Sequence, residues 1–265
     1  MWERGWLFGQ GLFETVAAFD RKPFLLDEHV CRLKKSAEIL DISIPSECTT
    51  DKVRDAIEEL LNRNGLCNAY VRIMLTAGIS QPPENTAVTF CILVKGLQRY
   101  PEKLYRLGAD VIVSTVRRNP TCPLAAHKTL SYWVNLIARK EAADLGARES
   151  ILLDTRGYVA EGSCTNLFFV SDGCLNTPSL KANILPGITR AKVMELASAS
   201  GLTVGERMFR LHDMKKADEA FMTNALMGII PIRSIDGIAL GKRGSGRNTR
   251  QLMKAYEALI NRRRK

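Results

Sequence analysis

The sequence contains no pair of cysteines separated by two residues, the spacing that is typical of protein zinc sites. Its seven cysteines are odd in number and scattered along the chain. This distribution predicts neither a zinc site nor a disulfide framework, so we expect no bound metal. Reduced thiols with mostly structural roles are the expected state.

Long apolar runs are also missing. No uninterrupted stretch approaches membrane-spanning length, and the opening Met-Trp-Glu-Arg-Gly lacks the apolar core of a signal peptide. An apolar fraction of 46% and a charged fraction of 25% are typical of an ordinary globular protein. We therefore expect a cytoplasmic protein of enzyme size, whose 265 residues form one large domain or two medium ones.

Acidic residues are scarce only near the C-terminus. Residues 241–265 hold nine Lys or Arg against one Glu, and they carry eight of the ten net positive charges. A basic tail can contact nucleic acid, and a non-catalytic nucleic-acid binder is one hypothesis for this chain. However, no aromatic side chains interleave with the final run 261–265, as base stacking would require. We favour a solvated terminal helix.

Apolar periodicity predicts the order of helices and strands. In the first part we expect strands at 12–19, 69–76 and 87–94, and helices at 27–40 and 51–64. Residues 97–101 then change to polar character and include a proline, so they are a candidate linker. We therefore predict an N-terminal α/β domain over 1–96 and a C-terminal α/β domain over 102–265.

The C-terminal part shows the same mixture of patterns. We expect strands at 109–116, 150–154, 167–170, 203–207, 220–223 and 229–235, and helices at 130–145, 183–200 and from 248 onwards. Pro231 cannot donate a ladder hydrogen bond, so we place the strand 229–235 at a sheet edge.

Two ionisable residues stand out from their surroundings. Lys128 follows Leu124-Ala-Ala126 closely, and a lysine that enters an apolar site has a lowered pKa, which suits a Schiff-base amine. Glu161 lies at a predicted strand end or bend, where Gly162 allows the backbone to approach something flat. Taken singly, each has an ordinary interpretation: a lysine whose stem covers a sheet edge, and a solvated turn glutamate.

Two further segments have the properties of an anion site. Pro186-Gly-Ile-Thr189 precedes a predicted helix, and a helix start with free N–H groups and a nearby hydroxyl can bind a phosphate. Arg32 can offer a guanidinium fork to the same kind of group. An ordinary helix cap and a surface arginine are the alternatives.

Six motifs, taken in order, resemble the class IV, or fold type IV, pyridoxal-phosphate enzymes. That family includes branched-chain aminotransferases, D-amino acid aminotransferases and 4-amino-4-deoxychorismate lyases. The resemblance spans nearly the whole chain, and an ordered set is far more specific than any one motif. The motifs are Phe8-Gly-Gln-Gly-Leu-Phe-Glu-Thr15, His29-Val-Cys-Arg-Leu33, His127-Lys-Thr-Leu-Ser131, Glu161-Gly-Ser-Cys-Thr-Asn166, Leu185-Pro-Gly-Ile-Thr-Arg190 and Thr223-Asn-Ala-Leu-Met227.

The resemblance implies a two-domain α/β fold of the D-amino acid aminotransferase type, with pyridoxal 5'-phosphate between the domains, and a homodimer. Lys128 would hold the cofactor as a Schiff base and move the substrate α-proton. Glu161 would pair with the pyridine nitrogen. The phosphate would be bound by Arg32, Ile188, Thr189 and Asn224.

The motifs point to two different reactions. His127–Tyr132 and Asn224–Met227 resemble the lyases, whereas Ala69-Tyr-Val-Arg72 resembles the branched-chain aminotransferases. We rank first a lyase that releases pyruvate from aminodeoxychorismate and forms 4-aminobenzoate, a folate precursor. A branched-chain or D-amino acid aminotransferase is the alternative. Candidates for the substrate carboxylates are Arg72, Arg117, Arg118 and Tyr132.

Overall fold

The computed structural model describes residues 2–79, 87–241 and 246–264. The chain divides into two compact units: Met1–Gln98 with His127–Tyr132 and Ile260–Lys265, and Arg99–Ala126 with Trp133–Leu259. The first division, after Gln98, falls within the predicted linker 97–101. The segment that contains Lys128 belongs to the first unit, whereas we expected it in the C-terminal domain.

The first unit is built on a four-stranded antiparallel sheet with the strand order β2-β1-β3-β4. Two long helices follow the first hairpin, as the apolar spacing predicts. The elements are α1 (Arg4–Phe8), β1 (Gly11–Phe19), β2 (Lys22–Pro23), α2 (Leu26–Ile39), α3 (Thr50–Arg63), β3 (Ala69–Ile79) and β4 (Ala87–Gly96).

One face of this sheet forms the core of the first unit. Alternate residues of β1, including Leu12 and Val16, are buried with Val30 and Leu33 of α2 and with Ile57 of α3. Because successive strand side chains point to opposite faces, the residues between them face away from these helices. The sheet therefore presents a second set of β1 and β3 side chains on its other face.

The second unit contains a nine-stranded sheet with the order β10-β9-β8-β11-β12-β5-β6-β7, and β13 pairs with β12. The elements are α4 (Glu102–Leu107), β5 (Ala109–Arg118), α5 (Trp133–Asp144), β6 (Glu149–Asp154), β7 (Val159–Gly162), β8 (Asn166–Ser171), β9 (Cys174–Pro178), a 3-10 turn (Leu180–Ala182), α6 (Ile188–Ala199), β10 (Thr203–Arg207), α7 (Leu211–Lys215), β11 (Glu219–Asn224), β12 (Gly228–Ile235) and β13 (Ile238–Ala239). Helix α8 (Arg247–Arg264) follows. None of the helices in the described ranges is long and apolar enough to span a membrane.

The predicted α/β class is confirmed by these two sheets and their helices, but one strand is misplaced. Strand β12 lies inside the sheet, between β11 and β5, so the edge position predicted for it is wrong. Pairing with β5 begins only at Ile232. Pro231 therefore lies just beyond that pairing, and its missing N–H does not interrupt it.

Candidate cofactor site

The segment around Lys128 extends the sheet of the first unit. Lys128 C=O accepts a hydrogen bond from Phe13 N–H at 2.8 Å, and Leu130 N–H donates to Gly11 C=O at 2.8 Å. Strand β2 pairs with β1 only at Ala18 and Phe19, so the other end of that β1 edge is available to this segment. The helix predicted from residue 130 therefore begins later, at Trp133.

Three of the predicted residues converge on the ring of Phe13. Lys128 Nζ lies 4.4 Å from the Phe13 ring centroid and 5.8 Å from that of Tyr132. The Arg72 guanidinium carbon lies 3.8 Å from the Phe13 centroid, and the Phe13 and Tyr132 rings meet edge to face at 5.5 Å. Arg72 Nη1 also donates to Tyr70 Oη at 3.4 Å. The reactive-amine candidate and the substrate-binding candidates Arg72 and Tyr132 thus form one group.

Arg32 is fixed by a buried acid that the sequence reasoning did not identify. Glu14 is 1% exposed, and its two oxygens accept from Arg32 Nε and Nη2, each at 2.7 Å. His29 Nδ1 lies 2.7 Å from Glu14 Oε2. Burial would raise the pKa of Glu14, but Arg32 and His29 lower it by more, so the pKa lies well below its usual range. This fork geometry holds the predicted phosphate arginine in one orientation.

His127, beside the candidate lysine, has a structural connection to α2. Its Nδ1 lies 2.9 Å from Ser36 Oγ. Burial lowers the pKa of His127, which favours the neutral ring as a hydrogen-bonding partner. Lys128 is therefore held through its own backbone on one side and through its neighbour on the other.

In the second unit, Glu161 lies in β7 and is 5% exposed. Its Oε1 forms an ion pair with Arg118 Nη2 at 3.0 Å, and its Oε2 accepts from Leu185 N–H at 3.2 Å. The solvated turn glutamate considered above is therefore excluded. Arg118, a candidate for binding a substrate carboxylate, is instead paired with Glu161.

Asn166 joins the Glu161 motif to the segment that leads into α6. Its Nδ2 donates to Leu185 C=O at 3.0 Å. The Leu185 peptide is thus held at its N–H by Glu161 and at its C=O by Asn166, the first and last residues of one motif. The Glu161–Asn166 motif and the segment that leads into α6 are therefore joined by two hydrogen bonds, although they are separate in sequence.

The start of α6 has the properties of an anion site. Its N-cap, Gly187, makes no side-chain cap, and the first helical hydrogen bond runs from Ala191 N–H to Gly187 C=O. The N–H groups of Ile188 and Thr189 therefore have no partner within the helix. Thr189 Oγ1 lies 3.4 Å from the hydroxyl of Tyr256, and burial raises the pKa of that phenol to about 12.

Gly187 permits the close approach of Asn166, which leads to a stability prediction. A Cβ on Gly187 would lie 1.8 Å from Asn166 Oδ1, although the φ of −66° suits any residue. We expect Gly187→Ala to lower the free energy of unfolding by about 1 to 3 kcal/mol through overpacking. Urea denaturation provides the measurement. Asn166→Ala should recover part of this loss in the double variant, and purely additive effects would contradict the steric explanation.

Asn224, predicted as a phosphate contact, has its amide engaged in the local chain. Its Oδ1 accepts from Leu226 N–H at 3.0 Å and from Met227 N–H at 2.9 Å. Its Nδ2 donates to Cys164 C=O at 3.3 Å. These bonds shape the turn between β11 and β12, and a phosphate contact of Asn224 stays a prediction.

Glu149 is a second buried acid that the sequence reasoning missed. Its carboxylate accepts from Ser163 N–H at 3.0 Å, from Cys164 Sγ at 3.2 Å and from Thr165 Oγ1 at 3.1 Å. Burial and Glu149 raise the pKa of Cys164 to about 12, so this thiol stays protonated and unreactive. Glu149 thereby holds the turn that follows Glu161.

The residues present fit pyridoxal phosphate, as judged in each unit separately. The first unit supplies an amine beside two aromatic rings and a fixed guanidinium. The second supplies a buried carboxylate tied to an uncapped helix start. An amine, a ring-nitrogen acid and phosphate donors are the groups that this cofactor requires.

Comparisons with known proteins agree with this chemistry. The model of the family described as "Amino-transferase class IV" matches residues 11–235. A putative branched-chain-amino-acid aminotransferase of Methanocaldococcus jannaschii is 36% identical over 263 residues, covering 97% of this chain and 89% of that protein. Aminodeoxychorismate lyase of Bacillus subtilis is 34% identical, covering 97% and 88%.

A solved structure gives the same result. The branched-chain amino acid aminotransferase of T.th., with pyridoxamine 5'-phosphate, superposes with a TM-score of 0.90 at 32% identity. The match covers 98% of this chain and 88% of that one. The expected fold type is therefore confirmed.

Proposed function

Because the chain belongs to the class IV aminotransferase family, we propose that it is an aminotransferase of branched-chain amino acids. Class IV enzymes use pyridoxal phosphate, so the predicted cofactor is confirmed at the level of the family. The predicted enzymatic character is confirmed as well. Which reaction the chain catalyses is the finer part of the proposal, since relatives of both kinds match it over almost their whole length.

The proposed roles follow from the contacts of each residue. When bound, pyridoxal phosphate supplies an electron sink that weakens the bonds at the substrate Cα. Lys128 would hold the cofactor and move the α-proton through its amine. Glu161 would hold the proton of the ring nitrogen. Arg32, fixed by Glu14, and the N–H groups that begin α6 would hold the phosphate.

Arg72 is the observation that favours the aminotransferase. It packs on the same Phe13 ring as Lys128, so one guanidinium accompanies the reactive amine. Arg117 Nη1 instead donates to backbone carbonyls of its own strand, and Arg118 is paired with Glu161. One guanidinium suits the single carboxylate of a branched-chain amino acid. Aminodeoxychorismate carries two carboxylates. This proposal reverses the order in which the sequence ranks the two reactions.

A lyase is the second candidate, and the Bacillus subtilis relative is the observation that supports it. In that reaction Lys128 would take the proton from Cα of aminodeoxychorismate, and pyruvate would leave. Both reactions use the residues named above. The distinction therefore has to come from the products.

One assay separates the two reactions. The purified enzyme is incubated with L-leucine and 2-oxoglutarate, and separately with aminodeoxychorismate alone. We expect glutamate to form in the first mixture only, with omission of 2-oxoglutarate as the control. Pyruvate release in the second mixture, without transamination of leucine, would support the lyase and contradict our proposal. Parallel incubation with D-leucine tests the D-amino acid alternative.

Substitution of Arg72 tests the carboxylate site. We expect Arg72→Gln to raise KM for L-leucine by about 10- to 100-fold, because a charge-assisted hydrogen bond is lost. The change in kcat should be smaller, since this contact serves the bound substrate as well as the transition state. Steady-state kinetics provide both constants. Arg63→Gln, an exposed arginine on α3, is the matched control. An unchanged KM would remove Arg72 from the site.

The homodimer and the cytoplasmic location stay predictions from the sequence. Size-exclusion chromatography with light scattering measures the first, and a mass of twice 29.5 kDa is expected.

A further inference from the structure

The partner of Glu161 is the most informative contact that the proposed mechanism does not use. Arg118 ends β5 and is 8% exposed, and Glu161 lies in β7 and is 5% exposed. Burying two charges costs several kcal/mol per ion before their attraction is counted, as an order of magnitude. A pair of this kind is weak evidence for stability and calls for another role.

The two oxygens of Glu161 have different partners. One oxygen forms an ion pair with Arg118 Nη2 at 3.0 Å, and the other accepts a hydrogen bond from Leu185 N–H at 3.2 Å. Rotation of the carboxylate would disrupt both contacts. Arg118 and the Leu185 peptide together fix the orientation of the Glu161 carboxylate.

The guanidinium has a second contact, in the loop that follows β5. Arg118 Nη2 also donates to Ala125 C=O at 2.6 Å. Within the described residues, Arg118 Nε is buried without a hydrogen-bond partner. Buried unpaired donors are rare where a residue serves stability alone.

We propose that Arg118 is a positioning residue that holds the carboxylate of Glu161 in the orientation in which it recognises the protonated ring nitrogen of the cofactor. The inference rests on the proposed function and extends it to a residue that does not touch the cofactor. It predicts that Arg118 matters only for a cofactor that has a ring nitrogen.

The test uses a cofactor pair that differs at one atom. Apoprotein is titrated with pyridoxal phosphate and with its 1-deaza analogue, in which CH replaces the ring nitrogen, and the two dissociation constants are measured. Their ratio is the preference for the nitrogen. General damage to the fold weakens the binding of both compounds alike and leaves the ratio of the two dissociation constants unchanged.

We expect the wild-type protein to prefer pyridoxal phosphate. Arg118→Gln and Glu161→Gln should each lower that preference by about tenfold, as the loss of a charge-assisted bond predicts. The double variant should lower it no further than Glu161→Gln alone, since the two residues act in series. Arg233→Gln, which removes the arginine paired with Asp110 in the same unit, should leave the preference unchanged.

Arg118→Lys covers the case in which Arg118→Gln does not fold. Lysine keeps the charge but not the planar fork. The preference of Arg118→Lys for pyridoxal phosphate over the analogue should therefore lie between those of wild type and Glu161→Gln. If the foldable Arg118 variant keeps the wild-type preference while Glu161→Gln loses it, the inference is overturned and the proposed function stands. A wild-type protein that binds both compounds equally, or neither, would overturn the role of Glu161 and the inference with it.

Discussion

Lys128→Ala should lower kcat by about a thousandfold or more, because it removes the amine that we propose moves the α-proton and holds the cofactor. The fold should persist, since the Lys128 segment is attached to β1 through backbone atoms, Lys128 C=O and Leu130 N–H. Transamination of L-leucine provides the rate. Borohydride reduction of the wild-type protein, followed by peptide mass spectrometry, should find the phosphopyridoxyl group on Lys128.

Lys128→Arg separates the chemistry of the amine from its packing. Arginine keeps a cation near the rings of Phe13 and Tyr132, but its guanidinium does not release a proton in proteins. We expect this variant to be as stable as wild type and as inactive as Lys128→Ala. Added methylamine should restore part of the activity of Lys128→Ala, where the cavity admits a small base. Appreciable turnover by Lys128→Arg would contradict the role of the amine.

Local patterns predicted most of the elements because their causes are local. In β3, the buried residues Ala69, Val71 and Ile73 alternate with partly buried ones, as the two-residue period of a strand predicts. Helix α2 follows from apolar residues at helical spacing, such as Val30, Leu33 and Ala37. These features depend on side chains within one or two turns of each other, so the sequence displays them directly.

The start of α5 shows where local patterns fail. The apolar run from Leu130 onwards has helical character, yet Leu130 N–H is taken by Gly11 C=O, more than a hundred residues earlier in the chain. That pairing keeps residues 128–130 extended. No local property of the sequence reports it, because the competing partner is distant.

The supporting residues of the candidate site were missed for the same reason. Phe13 and Glu14 are adjacent in a motif that we had already identified, but they point to opposite faces of β1 and serve different groups. The pairing of Arg118 with Glu161 joins residues of separate strands. Recognition of the motifs predicted the residue types, whereas the contacts that orient them follow only from the three-dimensional fold.

Glu14→Gln should cause the largest loss of stability among these variants. The substitution leaves Arg32 without the carboxylate that binds it at two atoms, and removal of one partner from a buried ion pair costs about 3 to 5 kcal/mol. Urea denaturation at pH 7.5 measures the free energy of unfolding. Glu38→Gln, an exposed position on the same helix as Arg32, is the control and should change it by less than about 0.5 kcal/mol.

The pH dependence of stability provides an independent test of the same cluster. The folded protein holds the pKa of Glu14 well below the ordinary 4.5, so its stabilising effect is complete above pH 4.5 and is lost as the pH falls towards the folded pKa. Burial lowers the pKa of His29 from 6.5, and Glu14 offsets only part of this effect. The contribution of His29 to the stability of the fold therefore declines as the pH falls below 6.5.

Wild-type stability should therefore decrease in two stages as the pH is lowered, the first below 6.5 and the second below 4.5. In Glu14→Gln the second stage should be reduced, because glutamine does not titrate. The first stage should remain at least as steep, since burial still disfavours the charged His29 and its acidic neighbour is gone. Equal losses for both proteins below pH 4.5 would show that Glu14 is not the acid that stabilises the first unit.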